Sequence, residues 1–230
     1  MQSIDQIKHA LERLSILDRE SVAYWLQALN DTEAASTRVE EARPAPQPSS
    51  PSLMTLEEFF ELEAGSPIRH EFVNGIAYAM SGTTVAHACI VDNVVGAFNG
   101  HLRGGPCRAF SNTVKLLIRH SENEISYYPD VIVDCQPDRR GEHFVQSPKL
   151  IVEVLSPSTR QIDRREKLQN YRLVDSIEEY AIAEQSERQV TIHRRADRWQ
   201  PRIYSGSNSV ADFPAIGLAL PLSSVYDGVR

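Results

Sequence analysis

Tyr128-Pro129-Asp130-Val131-Ile132-Val133-Asp134-Cys135 and Lys149-Leu150-Ile151-Val152-Glu153-Val154-Leu155 are the two stretches that decide how this chain reads. Each is a short run of β-branched and other apolar residues, the pattern of a strand covered on both faces. Yet each run carries a carboxylate, Asp130 at the start of the first and Glu153 in the middle of the second. An ionised carboxylate in a core costs several kcal/mol or more unless it is compensated. Two of them on neighbouring strands repel each other unless a cation lies between them. A divalent metal ion answers that requirement. The structural alternative is that Asp130 caps a turn after Pro129 and Glu153 pairs with a buried arginine or lysine.

Downstream of Leu155 come Ser156-Pro157-Ser158-Thr159 and then a charged helical pattern with Asp163, Lys167 and Tyr171. Pro129-Asp130 followed by a strand, with Glu153-Val154-Leu155 some twenty residues later, resembles the half-motif of the PD-(D/E)XK nucleases. The longer string, Leu-Ile-Val-Glu-Val-Leu-Ser-Pro-Ser-Thr and the helix after it, resembles the Uma2 group, also called DUF820. The resemblance runs from about Met54 to Val229. It implies an α+β fold with a restriction-endonuclease-like αβββαβ core and a mixed central sheet. It also implies Mg²⁺ or Mn²⁺ held by Asp130, Glu153 and the backbone carbonyl of Val154, with DNA as the substrate and RNA as the alternative. The superfamily motif places a lysine two residues after the glutamate, where this chain has Leu155. Lys167 is its substitute under the resemblance, so Asp130, Glu153 and Lys167 form the expected catalytic set. Glu71 resembles a further acid near the family's site, which would complete the metal shell or orient a water, and His87 and Tyr171 are accessory candidates. Each has a plainer reading: Lys167 as an exposed partner of Asp163, Glu71 as a solvated edge glutamate, His87 as a structural residue at a helix start.

Length and composition bound the rest. The 230 residues fit one sizeable domain plus an appendage, and 41% hydrophobic with 24% charged residues is ordinary for a globular chain. No apolar run approaches the ~20 residues a membrane span needs, and the start lacks a signal-peptide core. Cys89, Cys107 and Cys135 are scattered without a Cys-x-x-Cys pair, so they are expected to be reduced thiols in a cytoplasmic protein. The net charge is −7, and residues 53–230 hold 19 basic against 23 acidic residues. Bulk attraction to phosphate is therefore excluded, and any nucleic-acid contact needs a local basic patch together with bound metal.

Residues 1–30 read as a helical hairpin, with Ile4, Ile7, Leu11 and Leu14 at helical spacing and Asp18 as a cap before Val22, Trp25 and Leu29. Residues 31–52 are a Pro/Ser-rich linker. The domain over 53–230 opens with Thr55 and Glu58 as a capping box. Asn74-Gly75 between two apolar runs predicts a hairpin. A helix follows with Ile90, Val91, Val94, Phe98 and Leu102 on one face, then a strand over Cys107–Ile118 and the two acid-bearing strands. Beyond the charged helix, 179–183 and 189–193 read as strands, and a tail containing Leu218, Leu220, Leu222 and Val225 is expected to pack on the sheet.

Arg160, Arg164, Arg165, Lys167 and Arg172 gather around the helix after Glu153 and are the expected nucleic-acid contacts. A second group, Arg194, Arg195, Arg198 and Arg202 with Trp199 among them, reads equally as a contact surface or a soluble hairpin tip. The whole is expected to be a metal-dependent endodeoxyribonuclease without membrane contact, most economically a homodimer. The competing class is a decayed nuclease fold that binds nucleic acid or protein, which the acidic charge and the missing motif lysine favour. Buried acids retained on apolar strands argue against it.

Overall fold

The computed structural model describes residues 53–80, 82–136, 144–155 and 162–229, with the backbone alone for 162–164. The expected N-terminal hairpin, the linker, Arg160 and the side chain of Arg164 lie outside the described residues.

The first helix, α1 (Leu56–Gly65), starts where the capping box was expected: Thr55 accepts from the Glu58 N–H, and Glu58 accepts from the Thr55 N–H. Strands β1 (His70–Val73) and β2 (Ile76–Ala79) then form the expected hairpin. Asn74 and Gly75 both take positive φ, 47° and 94°, as a two-residue turn of this hand requires. Helix α2 (Val85–His101) is capped by Thr84 and buries Ile90, Val91, Val94 and Phe98 as one stripe.

The strands that follow divide between two sheets. β3 (Arg108–Ser111), β6 (Val131–Asp134) and β8 (Leu150–Leu155) are antiparallel neighbours in the larger sheet. β4 (Lys115–His120), β5 (Asn123–Tyr127) and the two-residue β7 (Phe144–Val145) join β1 and β2 in the smaller one, in the order β2-β1-β5-β4-β7. After β8 the chain crosses through a π-helical turn (Ile162–Lys167) and helix α3 (Leu168–Arg172). It returns as β9 (Glu179–Glu184), parallel to β8, as a helical crossover permits. β10 (Gln189–Arg194) and β11 (Pro201–Ser205) extend the larger sheet to the order β11-β10-β9-β8-β6-β3. A small hairpin, β12 (Val210–Phe213) with β13 (Leu218–Pro221), and α4 (Leu222–Val225) finish the chain. Helix α2, β3, β6, β8, the π turn with α3, and β9 are thus the αβββαβ core, with the β4–β5 hairpin inserted after its first strand.

The larger sheet separates two cores, and strand alternation sorts the residues between them. Val131, Val133, Leu150, Val152 and Val154 pack with α2, Leu220, Leu222 and Val225 on one face. Ile132, Ile151 and Leu155 pack on the other with Tyr127, Tyr171 and Tyr180. The tail packs as expected because its leucines and valine complete the α2 side.

Three expectations are corrected. The single strand over Cys107–Ile118 is two strands in different sheets, separated by the turn at Asn112–Val114. Both halves are apolar, so nothing in their composition marks the change of sheet. β5, β7, β11, β12 and β13 are not among the expected strands; in β11 and β12 the alternation is diluted by Arg202, Asp212 and exposed Ile203. Finally, Cys107 and Cys135 form a disulfide, and only Cys89 among the three is free. The β3–β6 register pairs Arg108 with Asp134, so the next residue outward on each strand is a cysteine facing a cysteine. A pairing 28 residues apart in sequence is invisible without that register. No helix among the described residues is long and apolar enough to cross a membrane.

Candidate active site

The two carboxylates meet because the register demands it. β6 and β8 pair Val131 with Val152 and Ile132 with Ile151, and one more step sets Asp130 opposite Glu153. The backbone then clasps both side chains. The Val154 N–H donates to Asp130 Oδ2 at 2.8 Å, and the Asp130 N–H donates to Glu153 Oε2 at 3.2 Å. Glu153 is 2% exposed and Asp130 9%, on strands otherwise built of valine, isoleucine and leucine. Hydrogen bonds of this kind orient the carboxylates but leave their two charges side by side.

Lys167 supplies one counter-charge. It is the last residue of the π-helical turn and only 5% exposed. Its Nζ lies 3.1 Å from Glu153 Oε1 and 3.0 Å from Glu71 Oε1. Tyr171, one helical turn on, donates its hydroxyl to the same Glu153 Oε1 at 2.6 Å. Burial, and then the charge of Glu153, push the Tyr171 hydroxyl well above the ordinary phenol range, so it stays a proton donor. The Lys167 side chain therefore points inward, between the two sheets, and the side chain of Asp163 lies outside the described residues. On the other side of the acid pair, His87 from the first turn of α2 places Nε2 3.1 Å from Asp130 Oδ2.

The family sequence model of Uma2, described as "Putative restriction endonuclease", matches residues 56–223. The chain belongs to the Uma2 family. Uncharacterized protein slr1290 of Synechocystis sp. is 31% identical over 189 residues, covering 80% of this chain and 98% of the relative. A second Synechocystis relative, uncharacterized protein sll1609, is 26% identical over 136 residues, covering 58% of this chain and 76% of its own. Among solved structures, the crystal structure of a "putative nuclease belonging to DUF820" from Anabaena variabilis superposes with a TM-score of 0.64 at 18% identity. It covers 77% of this chain and 99% of that one, and at this identity the likeness speaks for the fold alone.

The Uma2 site brings Glu71, His87, Asp130, Glu153, Lys167 and Tyr171 into one cluster. Glu71 arrives as a partner of Lys167. Among the described residues no three His, Cys, Asp or Glu side chains assemble as a ready-made cage for a metal ion. Two carboxylates on a shared register do fit a hard cation such as Mg²⁺, which is commonly held by one or two carboxylates and completes its shell with water and substrate phosphate. Among the described residues, Glu71 and Glu153 share the ammonium of Lys167, and Asp130 faces His87.

The basic clusters separate. Arg165 and Arg172 are exposed on the crossover. The second cluster divides: Arg194 and Arg195 are taken up inside the fold, whereas Arg198 and Arg202 are exposed. Arg194 is buried, with Nε 3.0 Å from Glu179 Oε1 and Nη2 donating to the Tyr204 hydroxyl and the Asp212 carbonyl. Arg195 donates to the carbonyls of Ile177, Val174 and Arg172, lies over the Trp199 ring, and so closes the end of α3. Arg202 pairs with Asp197 at 2.9 Å. Sequence reading could not separate these arginines from a contact surface because strand alternation does not show which acid each one meets.

Proposed function

We propose that this Uma2 protein is a metal-dependent endonuclease that hydrolyses DNA phosphodiester bonds, with Mg²⁺ or Mn²⁺ held by Asp130, Glu153 and the carbonyl of Val154. The observation that carries the reading is the register that sets Asp130 against Glu153 on apolar strands, with Lys167 at 3.1 Å from the glutamate. When bound, the cation neutralises charge on the scissile phosphate and lowers the pKa of water. The protein groups do the rest. The N–H groups of Val154 and Asp130 fix the two carboxylates, and Tyr171 fixes the second oxygen of Glu153. Lys167 offers a fixed ammonium to the charge that develops on a phosphoryl oxygen, in a site from which water is largely excluded. Arg165 and Arg172, exposed on the same crossover, suit backbone phosphates.

The test is cleavage of plasmid and oligonucleotide duplexes with Mn²⁺ or Mg²⁺, beside Asp130→Ala. Cleavage by the wild type and none by the variant is expected. Tight DNA binding without cleavage would instead favour the decayed-fold reading, and cleavage of RNA alone would change the substrate. The proposal includes a two-fold homodimer, because cutting both strands of a duplex uses two sites and closed dimers are the commonest assembly. Light scattering is expected to give twice the 25.8 kDa chain mass, and a concentration-independent monomer would reject the dimer.

A further inference from the structure

Lys167 stands on a helix, and a lysine carries four rotatable bonds, so two carboxylates alone do not fix where its ammonium rests. A third group faces it. Nζ lies over the ring of Tyr127, 5.1 Å from the centroid, within the range of an attractive cation–π contact. Tyr127 ends β5, and the β1–β5 register pairs Phe72 with Ser126, so Glu71 stands directly opposite Tyr127. The ring and one carboxylate thus come from adjacent strands of the smaller sheet, and the other carboxylate comes from the larger sheet. The tyrosine hydroxyl is also tied to the helix that carries the lysine. It donates to Glu166 Oε1 at 3.0 Å and accepts from Asn170 Nδ2 at 2.7 Å. These are the residue before Lys167 and the one three after it.

We propose that Tyr127 is the positioning residue for Lys167: its ring is the platform on which the ammonium rests between Glu71 and Glu153. This rests on the nuclease reading for its catalytic consequence, but not for the placement itself. The ring adds a third attraction, on the smaller-sheet side beside Glu71, that narrows where the ammonium can rest without adding a further negative charge.

The chain has four lysines, Lys8, Lys115, Lys149 and Lys167, so lysine-selective ¹³C labelling of the full chain gives a readable spectrum. The Lys167 ε-methylene signal, assigned by its loss in Lys167→Arg, is expected to be shifted upfield by the ring. The shift is expected to persist in Tyr127→Phe and to disappear in Tyr127→Leu, with the Lys115 and Lys149 signals unmoved. In the cleavage assay Tyr127→Leu is expected to lower kcat about 10-fold with KM nearly unchanged, while Tyr127→Phe stays within about threefold. If the leucine variant does not fold, Tyr127→Met takes its place. A Lys167 signal that stays put when the ring is removed would overturn the proposal, as would equal kcat in the wild type and the folded leucine variant. If the wild type itself cuts nothing, the nuclease reading fails, and the spectrum alone decides the placement of Lys167.

Discussion

Asp130→Ala is expected to lower metal-dependent cleavage by about 10³-fold or more, because several kcal/mol of charge stabilisation leave with the cation. The substitution also strips the Val154 N–H and His87 of their common acceptor, Asp130 Oδ2. A buried donor without a partner costs about 1–3 kcal/mol of stability, so part of the loss could be structural. Asp130→Asn separates the two effects. Its side-chain oxygen can still accept from Val154, but the negative charge is gone. Asp130→Asn is therefore expected to fold like the wild type and to remain nearly as inactive as Asp130→Ala. Circular dichroism and a single-turnover cleavage assay on the same preparations check this. An active Asp130→Asn enzyme would remove Asp130 from the metal site.

Lys167→Ala carries the second-largest expected effect, a fall in kcat of about 10²-fold with DNA affinity nearly unchanged. The geometry gives the reason. A lysine that is 5% exposed and shared by two carboxylates is poorly placed to grip the DNA backbone in the ground state. It is well placed to meet charge that appears only as the phosphate reacts. If it were one phosphate contact among several, the substitution would weaken binding and lower the salt slope by about one unit, leaving turnover at saturation alone. Lys167→Arg is expected to be nearly as damaging, because the larger planar guanidinium misplaces a point charge aimed at one phosphoryl oxygen. Steady-state kinetics and salt-dependent binding separate these outcomes.

Local signals carried much of the fold into the sequence. The capping box at Thr55, the Asn74-Gly75 turn and the α2 stripe each rest on neighbours in sequence, and each appears in the structure. The central strands were legible for the same reason, as unbroken runs of valine, isoleucine and leucine. Residues brought together by register were less so. Nothing in Cys107 or Cys135 alone announces a disulfide, and the division of residues 107–118 between two sheets leaves no compositional mark. In the site, the motif pointed to Asp130, Glu153 and Lys167, because acids and a lysine stand out against apolar neighbours. Tyr127 did not stand out, since a tyrosine ending an apolar strand reads as core. Its place beneath Lys167 depends on Glu71 and Tyr127 being cross-strand neighbours, which only the β1–β5 register reveals. The π-helical turn is likewise hidden, because a 3.6-residue pattern cannot show where a helix takes an extra residue per turn.

The central claim is that Asp130 and Glu153 together hold a divalent cation, and metal-dependent thermal stability of the wild type against Asp130→Asn/Glu153→Gln tests it most directly. A cation that binds only the folded state, at about 100 times its Kd, adds about 2.7 kcal/mol. For a chain of this size that corresponds to a rise in Tm of roughly 5–10 °C. The wild type is expected to show such a rise with Mn²⁺ or Mg²⁺. The double variant, relieved of the repulsion between its two acids, is expected to melt at a temperature indifferent to the metal. An equal metal-induced rise in both proteins would contradict the claim and place the cation elsewhere.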